Sequence, residues 1–358
     1  MDAAFRDCAV PLPADAATRA AEQLREVAEP ERVGDRTASR LVELRSLFGA
    51  DLGYVERELE RAASDGLAPG TDSARHLLAA GGKRVRPLCV LLSAACFERG
   101  ASRARDLAVV AELVHLATLL HDDVIDDSDL RRGAIASRRV WGNAVSVLAG
   151  DLLLTHALER TAAAAPGATL GELVATLPTL VDGEIVQLRG RSSPALSESV
   201  YFTIIEGKTA SLFAWAARAG ARAGGAGERE IEALGAFGRS LGLAFQLVDD
   251  ALDYRGDPAR MGKRLLGDLR EGKLTLPLLV ALRGRADLAA SVARAREGDD
   301  DAAAELHAAV LASGGVDEAR AQAAAHADRA QTALASLPPS PARDLLAALA
   351  TELTSRAD

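Results

Sequence analysis

From Leu107 to Gly133 the chain reads LAVVAELVHLATLLHDDVIDDSDLRRG. Its first half, Leu107 to Leu120, is apolar except for Glu112, His115 and Thr118, and holds no helix breaker. An apolar run of that length predicts a buried helix. The second half carries Asp122, Asp123 and Asp126 in a DDxxD cluster, adds Asp127 and Asp129, and closes on Arg131 and Arg132. Residues i, i+1 and i+4 of a helix lie near one face, so three like charges crowd together. They also stand where the helix dipole is negative, which disfavours an anion by about 0.3–1 kcal/mol. Such a placement does not serve stability. Either the helix end is a solvated acidic patch, or cations fill the space, and hard oxygen ligands suit hydrated Mg2+ bridging to a phosphate.

A second stretch, FQLVDDALDY at 245–254, holds Gln246 and a second DDxxD of Asp249, Asp250 and Asp253 among apolar neighbours. Buried unpaired carboxylates cost several kcal/mol each, so these must be solvated, paired or metal-bound. Two such clusters on two apolar helices predict helices facing each other across a cavity, with magnesium bridging a polyanion between them. Cations fit that polyanion: Lys83, Arg84 and Arg86 in GGKRVRP, Arg131 and Arg132, Lys208 beside Thr209, and Lys263 and Lys273 after the second cluster. Arginine forks match phosphate oxygens, while lysine acts as a mobile point charge. His115 lies seven residues before Asp122, two helical turns back on the same face, and Gln187 in GEIVQL is a polar residue on an apolar helix.

Composition sets the frame for these motifs. The 358 residues are 49% hydrophobic but only 3% aromatic, with alanine and leucine dominant, which favours closely packed helices. A net charge of -9 argues against a nucleic-acid partner. Cys8, Cys89 and Cys96 form no metal spacing, and the latter two read as reduced core residues. Neither a signal peptide nor a membrane-spanning run is evident, so a soluble cytoplasmic protein is expected, one compatible with loose membrane contact.

Residues 1–40, broken by Pro11, Pro13 and Pro30, read as an extension that is poorly ordered or partly helical, and 41–358 as one compact domain. Helical patterns begin near Leu41 and recur at Leu88–Phe97, Leu107–Asp126, Ala144–Ala163, Leu170–Leu188, Ser199–Ala219, Glu228–Tyr254 and Leu274–Leu282, with two more in the tail. Thr71, Asp72 and Ser73 read as capping residues of a short helix that stops at Gly81-Gly82. The acidic stretch Glu297–Asp301 reads as a surface loop and not a third metal site.

Taken together, GGKRVRP, ELVHLATLLHDD, DDVIDDSDLRRG, GEIVQL, GKTASLF, FQLVDDALDY and DLREGKLTLP resemble the trans-prenyltransferases, the all-E polyprenyl diphosphate synthases. The resemblance spans about residues 41–358, in order and spacing. It implies an all-α fold, a single helical bundle around a deep central cavity of the isoprenoid synthase type, and a homodimer. The implied enzyme ionises an allylic diphosphate, adds isopentenyl diphosphate to the carbocation and loses a proton. Asp122, Asp123, Asp126, Asp249, Asp250 and Asp253 would hold Mg2+, with Asp122, Asp126, Lys208 and Asp249 central to catalysis. Lys83, Arg86, His115 and Arg132 match positions that hold isopentenyl diphosphate; Arg131, Lys208, Thr209, Gln246 and Lys263 match those near the allylic diphosphate. One departure stands out: Leu266 occupies a position where the family usually has glycine.

Rival readings are a class I terpene cyclase, which lacks GGKxxRP and has a different second metal motif, and a regulatory subunit that has lost its acidic motifs. Both motifs are intact here. Within the family, product length is the open contest between a long-chain quinone side-chain precursor and geranylgeranyl or farnesyl diphosphate. A growing chain must run down the helix below Asp122, where Ala117 and Thr118 lie one turn back, about 6 Å lower. Both are small, which predicts a deep tunnel and a heptaprenyl-to-decaprenyl product.

Overall fold

A computed structural model describes residues 48–97, 101–191, 197–255 and 266–355. The extension at 1–40, the first residues of the pattern near Leu41, and Lys263 lie outside the described residues. Among the described residues, one hairpin of two-residue strands is set in an otherwise helical fold. In chain order the elements are α1 (Gly49–Ser64), α2 (Gly70–Ala79), α3 (Val85–Ala95), α4 (Ala101–Ile125), the strands β1 (Leu130–Arg131) and β2 (Ala134–Ile135), α5 (Ser137–Trp141), α6 (Asn143–Ala164) and α7 (Ala168–Arg191). They continue with α8 (Glu198–Ile205), a π-helical turn (Glu206–Ala210), α9 (Ser211–Gly224), α10 (Glu228–Arg255), α11 (Gly267–Arg270), α12 (Leu276–Ala281), a short 3-10 turn, α13 (Ala289–Arg296), α14 (Asp300–Ser313), α15 (Gly315–Leu334) and α16 (Pro341–Ser355).

The apolar run at 107–120 forms the axis of the bundle. Leu107 to Val114, together with Leu116, Ala117 and Leu120, is buried on every side of α4, which packs against α3, α6 and α9. A helix without a polar stripe has to be enclosed, and the main core closes around it. Helix α10 shares that core through Leu234, Phe237 and Leu241, then passes into a second cluster built with α12, α14 and α15. These two long buried helices therefore deliver their acidic ends to one region.

Four local expectations change. Helix α2 starts directly after Pro69, so Thr71, Asp72 and Ser73 sit inside its first turn and none caps it. Helix α4 stops at Ile125, which leaves Asp126 as the first residue beyond it. The run Ser199–Ala219 is not one regular helix but two, joined by the π turn. The acidic stretch is not wholly loop: Asp299 caps α14 by accepting from Ala302 N at 3.0 Å, and Asp300 and Asp301 occupy its first turn, where the dipole favours acids.

Candidate functional site

The C-terminal end of α4 opens onto a cavity of about 920 Å3. Asp122 and Asp126 line one wall, and Asp249, Asp250 and Asp253 of α10 line another. Asp123 does not face it. Its carboxylate is fully buried and accepts from Arg131 Nε at 2.7 Å, so it anchors the arginine. The chain leaves the helix at Asp127 with φ +55°, and Asp127 and Asp129 turn outward to Arg138 at 2.8 and 3.0 Å. Of the five aspartates in the first stretch, two reach the cavity.

Fixed cations already balance those two. Lys208 Nζ lies 3.3 Å from Asp122 and 2.5 Å from Glu184 of α7, and Lys273 Nζ lies 2.8 Å from Asp126. Arg191, at the end of α7, also reaches Asp126 and donates to the Ile125 carbonyl at 3.1 Å. Burial alone would raise the Asp126 carboxyl, but Lys273, Lys208 and Arg191 outweigh it and hold the group below the usual range. Asp123 goes the other way, because its burial exceeds what Arg131 offsets. Burial likewise raises Glu184 against the pull of Lys208. For Lys273, burial would lower the ammonium, yet Asp126, Asp268 and Glu271 carry it well above the ordinary value.

Two glycines bring Lys208 into this ring. A side chain at Gly183 of α7 would sit 2.7 Å from Lys208 N, and one at Gly207 would sit 2.9 Å from the Thr179 carbonyl. Without them the two backbones could not touch. The π turn also widens the helix locally, as such turns often do at functional sites, and the adjacent Lys208 and Thr209 both line the cavity. Thr209 donates to Gln246 at 2.8 Å, Gln246 donates to Asp250 at 2.8 Å, and Tyr201 donates to the other Asp250 oxygen at 2.6 Å. Burial and the nearby Asp268 push the Asp250 carboxyl up to about 8, against those two hydrogen bonds. Gln187 donates to Glu184 at 3.1 Å and lines a small recess beside this network.

A cationic wall completes the cavity with Lys83, Arg86, His115, Arg131 and Arg132. The Arg86 guanidinium lies 4.7 Å over the Phe213 ring, and its Nε is buried with no hydrogen-bond partner among the described residues. Burial brings it down to about 10, opposed by Glu112 and Asp249. The same burial, with Arg86 and Arg132 adjacent, holds the His115 imidazole well below its ordinary value and therefore neutral. Of the two small residues below Asp122, Thr118 lines the cavity beside Leu119, but Ala117 is 1% exposed and belongs to the core. Ala117 lies about 100° round the helix from Thr118, on the side turned into the core. Leu180, Val181, Leu212 and Phe245 supply apolar lining.

Sequence reasoning missed Glu184, Arg191 and Glu112. Glu184 stands in the quoted GEIVQL and Glu112 in the quoted apolar run, where a lone acid was a usable signal. Arg191 offered none. Among the described residues no three carboxylate, imidazole or thiol groups gather closely enough to hold a metal unaided. All-carboxylate donors facing each other across a gap instead suit a hard cation that shares its shell with a phosphate and water.

The family model described as polyprenyl synthetase matches residues 70–311, well over half of the chain. The chain belongs to the polyprenyl synthetase family. It is thus a polyprenyl diphosphate synthase, a trans-prenyltransferase. Component 2 of heptaprenyl diphosphate synthase from Geobacillus stearothermophilus is 37% identical over 317 residues, covering 88% of this chain and 99% of its own. Octaprenyl diphosphate synthase from Haemophilus influenzae is 40% identical over 278 residues, covering 77% of this chain and 84% of its own. Among solved structures, a polyprenyl synthase from Caulobacter crescentus complexed with calcium and isoprenyl diphosphate is 38% identical. It superposes with a TM-score of 0.84 over 92% of this chain and 100% of its own. The bundle around a central cavity is thus the fold of this synthase family. No helix among the described residues is long and apolar enough to cross a membrane.

Proposed function

We propose that this synthase condenses isopentenyl diphosphate with an allylic diphosphate, using Mg2+, to make an all-trans long-chain polyprenyl diphosphate of the quinone side-chain precursor type. The observation that carries the reading is a single cavity with acids on two helices, a wall of cations and an apolar lining. Asp122, Asp126, Asp249 and Asp253 are the residues that would hold divalent metal, with Asp250 beside them. Bound there, Mg2+ supplies Lewis acidity to the leaving diphosphate. Lys208 and Lys273 add fixed positive charge at that end, and Thr209 and Gln246 orient the Asp250 side. Arg131 is oriented toward this end by Asp123, and Lys263 is assigned to it by resemblance alone.

Lys83, Arg86, Arg132 and neutral His115 would hold isopentenyl diphosphate. The buried, unpartnered Arg86 Nε supports this, since a buried charged donor that lacks an acceptor favours an anionic ligand. Leu119, Leu180, Val181 and Phe245 exclude water from the hydrocarbon and from the developing carbocation. Thr118 leaves the path below Asp122 open, and the hepta- and octaprenyl synthases among the relatives point to a long product. A homodimer is part of the proposal. Val140, Val147 and Leu148, half or more exposed in two of the three cases, offer an apolar face between α5 and α6 that a second copy would cover.

Mass spectrometry of the products formed from isopentenyl diphosphate, a set of allylic starters and Mg2+ tests the reading. Chains of seven or more isoprene units are expected, and a product that stops at farnesyl or geranylgeranyl diphosphate overturns the long-chain assignment.

A further inference from the structure

Three cations of GGKRVRP do not share one environment. All three border the cavity, but Arg84 is 4% exposed and its guanidinium is taken up by carboxylates. Its Nε and Nη2 donate to the two oxygens of Glu56 on α1 at 2.7 and 2.9 Å, and its Nη1 donates to Glu112 on α4 at 2.8 Å. Arg84 achieves this with φ +53°, a left-handed backbone that a side chain other than glycine resists, at the residue just before α3. Gly82 makes the arrangement possible: a side chain there would collide with Arg84 Nη1 and stand 3.1 Å from Arg132 Nη1. Two guanidiniums thus lie over one glycine.

Glu112 is the unexpected member. It is 2% exposed and lines the same cavity as Arg86, His115 and Arg132. A buried carboxylate in a wall that receives an anion opposes binding unless its charge is already engaged. Arg84 engages it. Glu112 also acts on Arg86 and Arg132 as an opposing charge, so it is within electrostatic reach of both. Deprived of Arg84, it would draw one of those two arginines onto itself and away from the diphosphate.

We infer that Arg84 is a positioning residue: clamped between Glu56 and Glu112, it sets the 81–86 turn and keeps Glu112 from capturing Arg86 or Arg132. Each of its three guanidinium nitrogens donates to a carboxylate, so no contact with substrate is assigned to it. The inference rests on the proposed use of this wall for isopentenyl diphosphate.

Steady-state kinetics of the purified full-length protein, with each substrate varied in turn, test it. Arg84→Met should raise KM for isopentenyl diphosphate about tenfold or more, the effect of one lost charge-assisted contact. Allylic KM should stay within about twofold and kcat within about threefold, since neither depends on a diverted cation in this wall. Adding Glu112→Gln removes the captor, and the double variant should recover most of the lost affinity. A purely structural role would make the double variant worse. An isopentenyl KM at the wild-type value in Arg84→Met, equal losses in all three constants, or no recovery in the double variant overturns the inference. Should Arg84→Met fail to fold, Arg84→Lys keeps the charge but cannot span both carboxylates; it should shift the same KM in part, and a wild-type KM there is equally fatal. Arg86→Met is the control for the underlying assignment. If it leaves the isopentenyl KM unchanged, the pocket itself is misassigned, whatever Arg84 does.

Discussion

Asp122 and Asp123 are neighbours in sequence but meet different surroundings at the same helix end. Asp122 lines the cavity 3.3 Å from Lys208, while Asp123 is buried against Arg131. Alanine at the two positions should therefore separate chemistry from architecture. Asp122→Ala should lower kcat by about 10²–10³ with little change in thermal midpoint, as loss of a transition-state stabiliser does. Asp123→Ala leaves the Arg131 guanidinium without its buried partner and should lower stability by roughly 3–5 kcal/mol. Kinetics and thermal melts on both variants decide it, and matching profiles would contradict the division.

Chain length offers a similar contrast one turn below. Thr118→Phe should shorten the product, because the ring enters the cavity lining. Ala117→Phe should not act in that way, since Ala117 is enclosed by the core and overpacking there costs about 1–3 kcal/mol or more. Product lengths by mass spectrometry, beside melting curves, give the comparison. An active Ala117→Phe enzyme with a shortened product would place the tunnel on the other flank of α4.

Gly183→Ala should damage catalysis through the backbone. Its new methyl group would meet Lys208 N at 2.7 Å, and a main-chain atom cannot swing aside. The π turn must retreat, taking Lys208 from Asp122, so kcat should fall by about tenfold or more as the reacting groups lose alignment. Wild-type turnover would mean that Lys208 is not needed at its present distance.

Acid sensitivity should trace in part to a residue that is not among those lining the cavity. His326 on α15 is buried, and that burial, with Arg329 and Arg239 nearby, brings its imidazole down to about 4. The unfolded chain binds this proton near pH 6.5 and the folded protein only near 4. Stability from this group is thus complete above about 6.5 and is lost as pH falls to about 4, by on the order of 2 kcal/mol. His326→Gln should flatten the fall of denaturation midpoint across that window. An unchanged pH profile would show that other groups govern it.

How far the sequence carried differs between helices and contacts. The long helices were legible because apolar stretches in α4 (107–120) and in α10 (around 241–252) set off the acids that follow or interrupt them. The π turn was not, because nothing in EGKTA marks an i+5 pattern, and the close approach of Gly183 and Gly207 exists only in the folded chain. The inward turn of Asp123 was equally hidden: spacing places three aspartates near one face, but which of them finds an arginine depends on the hairpin that returns Arg131. Arg84 stood only as one of three cations in the motif, left out of the diphosphate set by the resemblance. Its partners Glu56 and Glu112 come from distant helices that spacing does not bring together.

Leu266 bears on how the chain tolerates departure from a pattern. Where the resemblance implies a glycine, the backbone keeps a glycine-like φ of +56°, and the leucine side chain is fully buried in the second core. A left-handed conformation costs a leucine about 1–2 kcal/mol. Burying its side chain contributes about 1.5–3 kcal/mol. These nearly cancel, so the exchange is close to thermodynamically silent in the native state. The denatured ensemble is where it tells: a leucine there samples fewer conformations than a glycine, and the residue just ahead of α11 loses less freedom on folding. Two residues on, the Asp268 backbone N–H donates to Asp253 at 3.3 Å, so the freedom lost at Leu266 bears on how firmly that acid is held.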